Sequence, residues 1–307
     1  GRTGALLVSL WRSWGSPTHY TKGIDSMFAI TGATGGLGRD VIAELLERGV
    51  EPSRIAALVR SPDKAAGLSA HGVVVRFADY NKPETLPDAL EGVEKLLLIS
   101  GNEPGRVEQH ANVIQAAVQA GVGSIAYTSG TKADTSGIGI IADHRATEKI
   151  LAGTSIASTI LRNNWYFENY TQNLPVTLQQ GVILSATGGA QFNPAARRDY
   201  AAAAAAVLTS DGHDGKVYEL AGPAVTLSDL AAVITEVTGT PVAVVELAPA
   251  EYRDTLIGAG LPEPVAAMLV GGDEGIARGD LYVESSDLAD LVERAPITFA
   301  EVVRAAL

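Results

Sequence analysis

Apolar positions in this chain gather into short runs separated by stretches with helical spacing. Met27 to Ile30, Ile55 to Val59, Val73 to Phe77, Lys95 to Ile99, Ile125 to Thr128 and Ile156 to Leu161 read as strands. Between the first two, Leu37, Val41, Leu45 and Leu46 line one face of a helix that runs from Gly36 to Gly49, with Glu44 four residues before Arg48. Ser61-Pro62-Asp63 is a helix-start signal. Asn81 to Leu90 reads as a short helix or loop, and Arg106 to Ala120 as a long helix with Val107, Ala111, Ile114 and Val118 on its buried side. Another helix holds His144 to Ala152. Strands alternating with helices imply right-handed βαβ crossovers, so the expected class is α/β, a doubly wound, Rossmann-like parallel sheet.

Beyond Asn163 the alternation loosens. Trp165 to Gln180 looks helical, Val182 to Ser185 strand-like, and Arg198 to Leu208 forms an alanine-rich helix. Val217 to Leu220 is a strand, and Thr226-Leu-Ser-Asp229 a capping box that opens a helix to Thr238. Val242 to Leu247 is again strand-like, and from Pro249 the chain is helical, broken at Gly258, Gly260, Pro262 and Pro264. The expected division is a dinucleotide-binding core over 27–163 and a mixed segment over 164–307. That segment completes the sheet and forms a smaller C-terminal α/β lobe roofing the strand ends.

Composition narrows the class. The 307 residues suffice for one or two domains, and 46% apolar with 19% charged residues is an ordinary globular balance. A net charge of −12 argues against a nucleic-acid groove, which is built from Lys and Arg. No apolar run is long enough for a transmembrane helix, so no membrane partner is expected. The absence of cysteine excludes disulfides and thiolate-bound metal and fits a cytoplasmic protein. Oligomerisation stays open. Residues 1–26 look foreign to the fold: an extension upstream of Met27, or an amphipathic arm using Leu6, Leu7, Leu10, Trp11 and Trp14.

The candidate chemistry starts at Thr31-Gly-Ala-Thr-Gly-Gly-Leu-Gly38, where a strand turns through glycines at 32, 35 and 38 into a helix. Bare N–H groups and a helix N-terminus attract a pyrophosphate, and residues without Cβ let it approach. Gly32, Thr34, Gly35, Gly36 and Leu37 are therefore candidate cofactor-binding residues. Every strand end collects small, polar or charged residues, and ligands of such sheets bind there. The second strand ends in Arg60 with Lys64 one turn later, where NAD-preferring sites usually carry a carboxylate. A bidentate Arg beside a Lys suits a 2′-phosphate, so NADP(H) is expected as cofactor; otherwise the two are solvated surface charges. Asn163 and Asn164 follow a strand end, where an amide can hold the nicotinamide carboxamide. No His/Asp/Glu cluster has metal-ligand spacing, so no metal is expected.

The loop spacing G-x-x-G-x-x-G resembles the short-chain dehydrogenase/reductase superfamily, yet none of the nine tyrosines is followed by Lys four residues later. The superfamily's usual proton donor, Tyr-x-x-x-Lys, is missing. Reduction of a simple ketone needs a strong acid for the alkoxide, whereas a quinone spreads the added charge itself and a cationic dye is neutralised. Further stretches match in order: L-V-R-S-P-D-K (58–64), D-Y-N-K-P-E-T-L (79–86), H-A-N-V-I-Q-A-A (110–117), A-Y-T-S (126–129), H-R-A-T-E-K (144–149), L-R-N-N-W-Y-F-E-N-Y (161–170) and G-K-V-Y-E-L-A-G (215–222). With them the chain from Met27 to Leu307 resembles the NmrA-like atypical short-chain reductases, in the branch of the type 2 NADPH quinone oxidoreductases and triphenylmethane reductases. The resemblance implies NADPH-dependent reduction of quinones or similar conjugated acceptors. It also implies Asp79 and Tyr80 near the adenine, Ser100 and Gly101 near the ribose and nicotinamide, and His144 with Asn163 to Tyr166 at the nicotinamide and substrate face.

His144, Tyr166 and Asn163 are the candidate catalytic residues. His144 stands where the missing motif would place its functional groups, although a lone histidine is more often structural. Tyr166 either donates to a substrate oxygen or packs the lobe interface. His19, His71, His110 and His213 read as surface or packing residues. The competing function, also seen among NmrA-like proteins, is a catalytically idle NADP sensor that binds a regulatory partner. A reductase calls for a cavity lined by residues such as Trp165, Tyr166 and Phe167, a sensor for a filled cleft.

Overall fold

A computed structural model describes residues 26–307; the readings placed on residues 1–25 lie outside the described residues. Six strands form the body of the sheet: β1 (Met27–Ile30), β2 (Ile55–Val59), β3 (Val74–Phe77), β4 (Val93–Leu98), β5 (Ser124–Gly130) and β6 (Ala157–Asn163). Their apolar runs form strands because both faces are covered, and β2 is buried at all its positions. After β6 come β7 (Val182–Ser185), β8 (Val217–Leu220) and β9 (Ala243–Glu246).

The main sheet has seven strands in the order β3-β2-β1-β4-β5-β6-β8, and all of its pairs are parallel. The chain winds outward from β1 to β3, then crosses back to β4 on the other side of β1. That reversal opens a crevice at the carboxyl ends of β1 and β4. Strand alternation divides the core. Phe28, Ile30, Ala57, Leu97 and Leu161 face the helices Gly36–Glu47 and Arg197–Thr209. Ala29, Leu58, Leu96, Leu98 and Tyr127 face Arg106–Gln119 and Gly139–Ala152. Ala201 to Ala206 are all buried, so the alanine run lets its helix lie close to the sheet.

After β6 the chain contributes to two places. The helix Arg197–Thr209, β8 and the helix Asp287–Val292 return to the main sheet. The parallel pair β7–β9 and the helices Leu227–Thr238, Pro249–Gly258 and Glu263–Ala277 build the lobe over the strand ends. The capping box is present: Thr226 Oγ1 accepts from the Asp229 N–H at 3.1 Å, and Asp229 Oδ2 accepts from the Thr226 N–H at 2.8 Å. Several strand boundaries shift by one or two residues from expectation, β4 to Val93–Leu98 and β6 to Ala157–Asn163 among them, and one expected helix is divided. Trp165 to Gln180 is two short helices, Glu168–Thr171 and Leu174–Gln180, because Pro175 has no N–H to continue the first and instead starts the second. The helix expected to hold His144 to Ala152 runs from Gly139 to Ala152, after an N-cap residue, Ile138, with no capping side chain. No helix among the described residues is long and apolar enough to cross a membrane.

Candidate active site

β1 delivers its carboxyl end to the crevice, where Thr31 ties it to β4. The Thr31 N–H donates to the Leu97 carbonyl at 3.1 Å, and Thr31 Oγ1 accepts from the Ile99 N–H at 2.8 Å. Gly32 follows with φ +58°, a left-handed conformation that favours glycine. The turn closes through the Gly35 N–H on the Gly32 carbonyl at 3.0 Å. A Cβ at Gly38 would stand 2.3 Å from the Gly32 oxygen, so the helix can press against the loop only without a side chain there. Gly35 caps the helix Gly36–Glu47 and no side chain accepts from its first turn, which leaves those N–H groups for an anion.

From this loop a cavity of about 1370 Å³ runs along the strand ends and under the lobe. All the candidates named from the sequence line it: the loop positions 32 and 34–37, Arg60, Lys64, Asp79, Tyr80, Ser100, Gly101, His144, Asn163, Asn164 and Tyr166. Trp165 lines it too, but Phe167 does not; its ring turns into the lobe core against Phe299, with centroids 5.1 Å apart. The cleft is open rather than filled.

At the carboxyl end of β2, Arg60 is neither free nor merely solvated. Glu103, in the loop after β4, holds it through two hydrogen bonds of 2.9 and 3.2 Å, and both side chains are about half exposed. Asp79 Oδ1 accepts from the Asn81 N–H at 3.0 Å, and the Tyr80 carbonyl accepts from Asn112 Nδ2 at 2.9 Å. Burial raises the Tyr80 hydroxyl above its ordinary pKa.

The middle is organised by residues that spacing alone did not disclose. Arg106 is buried, donates to the Gly101 and Ile140 carbonyls at 3.1 and 3.2 Å, and pairs with Asp143 at 2.8 Å. His110 was expected at the surface or in packing; it is fully buried and also hydrogen-bonded. Its Nε2 accepts from the Gly101 N–H at 3.1 Å, so its proton sits on Nδ1, 2.9 Å from Thr147 Oγ1. Burial first, then Arg106, lowers its pKa to about 4. His144 is also neutral: burial, then Arg106 and His110, lowers its pKa to about 3. Its Nδ1 lies 2.7 Å from the hydroxyl of Tyr127, a fully buried phenol whose pKa burial raises.

At the carboxyl end of β6, Asn163 Nδ2 donates to the Tyr166 hydroxyl at 3.4 Å, while Asn163 Oδ1 is buried with no partner. Asn163 as a residue lines the cavity, and its buried amide oxygen is left without a hydrogen-bond partner, an uncompensated polar atom in the fold. The Tyr166 ring packs on Tyr200 with centroids 5.0 Å apart, so it does structural work while lining the cavity. Asn164 is buried and fastens the lobe, donating from Nδ2 to the Leu281 carbonyl at 3.0 Å. Among the described residues, no group of three His, Cys, Asp or Glu could hold a metal ion.

Comparison with known proteins gives a consistent picture. The NAD(P)H-binding family profile matches residues 32–211. The chain is 48% identical to quinone oxidoreductase 2 of Escherichia coli over 90% of its length and 97% of that protein. It is 30% identical to an NmrA-like family domain-containing oxidoreductase of Aspergillus flavus, over 90% of this chain and 94% of that one. The crystal structure of the E. coli enzyme complexed with NADPH superposes with a TM-score of 0.88, covering 91% of this chain and 99% of that chain. Citrobacter sp. triphenylmethane reductase complexed with NADP(H) superposes with 0.87 at 39% identity, covering 91% of this chain and 100% of that chain.

Proposed function

This chain belongs to the NAD(P)H-binding family, and from that premise we propose that it is an NADPH-dependent reductase of quinones and similar conjugated acceptors. The observation that carries the reading is the single cavity joining the glycine loop to an aromatic-walled chamber under the lobe. Residues fit the cofactor along its length: the uncapped N–H groups after Gly35 for the pyrophosphate, Arg60 and Lys64 for the 2′-phosphate, and Asn163 Oδ1 for the carboxamide. Bound there, the cofactor supplies hydride.

The protein's own part is to orient and to exclude water. Trp165, Tyr166 and Tyr170 line the chamber, and Asn163 at the end of β6 would hold the carboxamide of the cofactor. Burial keeps the Tyr127 hydroxyl protonated; where it donates to His144 Nδ1, the His144 proton sits on Nε2, a nitrogen with no partner among the described residues. That N–H donates a hydrogen bond to an acceptor oxygen. A histidine with a pKa near 3 stabilises a delocalised phenolate by hydrogen bonding rather than by full proton transfer, and solvent completes the hydroquinone. The open cleft favours this reading over an idle sensor.

The test is steady-state NADPH oxidation, followed by absorbance, with benzoquinones and with simple aliphatic ketones. Quinones should turn over and ketones hardly at all, and His144→Ala should lower quinone turnover by less than the roughly 10²–10⁴-fold of general acid–base catalysis. Tight NADPH binding without turnover of any quinone would return the assignment to the sensor.

A further inference from the structure

We propose that Asp273 selects acceptors by charge, favouring conjugated acceptors that carry a positive charge over neutral ones of similar size. This builds on the reductase reading and adds the residue that discriminates among acceptors. Asp273 lies on the helix Glu263–Ala277, and its neighbour Gly272 packs against Trp165, where a Cβ would stand 3.2 Å from the indole. It therefore belongs to the lobe side of the cavity, beyond Asn163.

The wall there is otherwise uncharged. Among the cavity-lining residues from Trp165 to Leu281, Asp273 is the one charged side chain, and the charge acting on it is that of Glu246, with no cation. Asp273 Oδ2 accepts from the Ala186 N–H at 2.8 Å, and Oδ1 has no hydrogen-bond partner among the described residues. Three titratable groups face it: Tyr170, Tyr252 and Glu246. Glu246 is itself occupied, accepting from Ser185 Oγ, Thr187 Oγ1 and the Gly188 N–H. None of the three can supply a positive charge.

An asparagine would accept the Ala186 N–H equally well, so packing alone gives no reason for a carboxylate, which is costly to bury unpaired. A cationic acceptor provides the missing countercharge. The reaction balances without an acid: hydride brings two electrons to the electron-poor carbon, the positive charge is cancelled, and the oxidised cofactor and a neutral product leave. Loss of the charge also loosens the product. Burial, opposed in part by the Ala186 N–H and reinforced by Glu246, holds the carboxyl at about 6. Selection for cations therefore strengthens as the pH rises through that value and fades below it.

The experiment titrates a triarylmethane cation, whose own charge is fixed between pH 5 and 8, into the protein saturated with NADP⁺, where no turnover occurs. Dye affinity should tighten about ten-fold from pH 5 to 8 in the wild type, and Asp273→Asn should weaken it about ten-fold at pH 8 and flatten the profile. Asp254→Asn removes an equal charge from an exposed site of the lobe and should leave the profile intact. The ratio of kcat/KM for the dye to that for benzoquinone should fall with Asp273→Asn. A pH-independent wild-type affinity, or an unchanged profile in a folded Asp273→Asn, overturns the inference. Failure of the wild type to oxidise NADPH with any acceptor overturns the reductase reading instead, while dye binding still reports on Asp273.

Discussion

Glycines 35 and 38 belong to one motif yet are constrained by different forces, and two substitutions separate them. At Gly38 the nearest atoms to an added Cβ are backbone, the Gly32 oxygen at 2.3 Å and the Ala33 Cα at 2.7 Å, and backbone cannot step aside. Gly38→Ala should therefore cost stability, about 1–3 kcal/mol by overpacking, measured by denaturant unfolding without cofactor. At Gly35 a Cβ would sit 3.3 Å from the same oxygen, a contact that slight relaxation relieves. Gly35→Asp should fold but lose NADPH, because a carboxylate then occupies the anion site; unchanged affinity in the folded variant would refute that site. Arg60 raises a different question, since Glu103 already holds its guanidinium. The 2′-phosphate has to compete with that carboxylate. Arg60→Ala should weaken NADPH by roughly ten- to a hundred-fold and NADH little. Glu103→Gln should tighten NADPH selectively, by less than about ten-fold, as befits an exposed pair. Equal wild-type affinities for the two cofactors in a titration would sink both expectations.

At the scale of elements, the helices Arg106–Gln119 and Gly139–Ala152 and strand β5 bring His110, Tyr127 and His144 together, with Tyr127 ring centroids 5.5 and 5.9 Å from the two imidazoles. Both histidines have depressed pKa values, about 4 and about 3, so both stay neutral in the fold while the unfolded chain takes up protons below about 6.5. The unfolded state then binds more protons. Their contribution is complete above the unfolded value and is lost as pH falls from about 6.5 towards the folded values. His144→Asn should flatten the slope of unfolding free energy between pH 4 and 6; an unchanged slope would mean that His144 is charged in the fold. The same elements show what the sequence could disclose. Runs such as Ile55–Val59 are legible because burial on both faces leaves only apolar residues, and the glycine loop because backbone geometry demands its residue types. Arg106, His110 and Tyr127 were hidden since their roles come from contacts between elements distant in sequence. Arg106 looks like a surface charge on an amphipathic helix until the Gly101 and Ile140 carbonyls close around it. Glu103 and Asp273 were equally silent, each carboxylate taking its meaning from the cavity it faces.

Across the whole molecule, the cavity is built between parts that the chain joins late. Asn193 accepts from the Val283 N–H at 2.8 Å and Asn164 donates to Leu281, while Lys132 Nζ reaches the Gly279 carbonyl at 3.0 Å. The segment from 279 to 283 thus stitches the lobe to the ends of β5 and β6. A ligand spanning the glycine loop and Asn163 joins the carboxyl ends of β1 and β6 across the sheet and binds only when the sheet is folded. Linkage then requires that it raise global stability: at a hundred times its dissociation constant, by about 2.7 kcal/mol. For a chain of 307 residues, that corresponds to a rise in Tm of roughly 4 °C. NADP⁺ should produce such a shift in a thermal scan, and NAD⁺ at equal concentration a smaller one, because it leaves Arg60 with Glu103. Arg60→Ala should bring the two shifts together by lowering that of NADP⁺. Asn163→Ala should shrink both alike, since the carboxamide is common to the two cofactors. Equal shifts in the wild type would mean that Arg60 does not discriminate between the two cofactors, and an Asn163→Ala protein that keeps both full shifts would show the unpaired amide oxygen to be no part of the cofactor site.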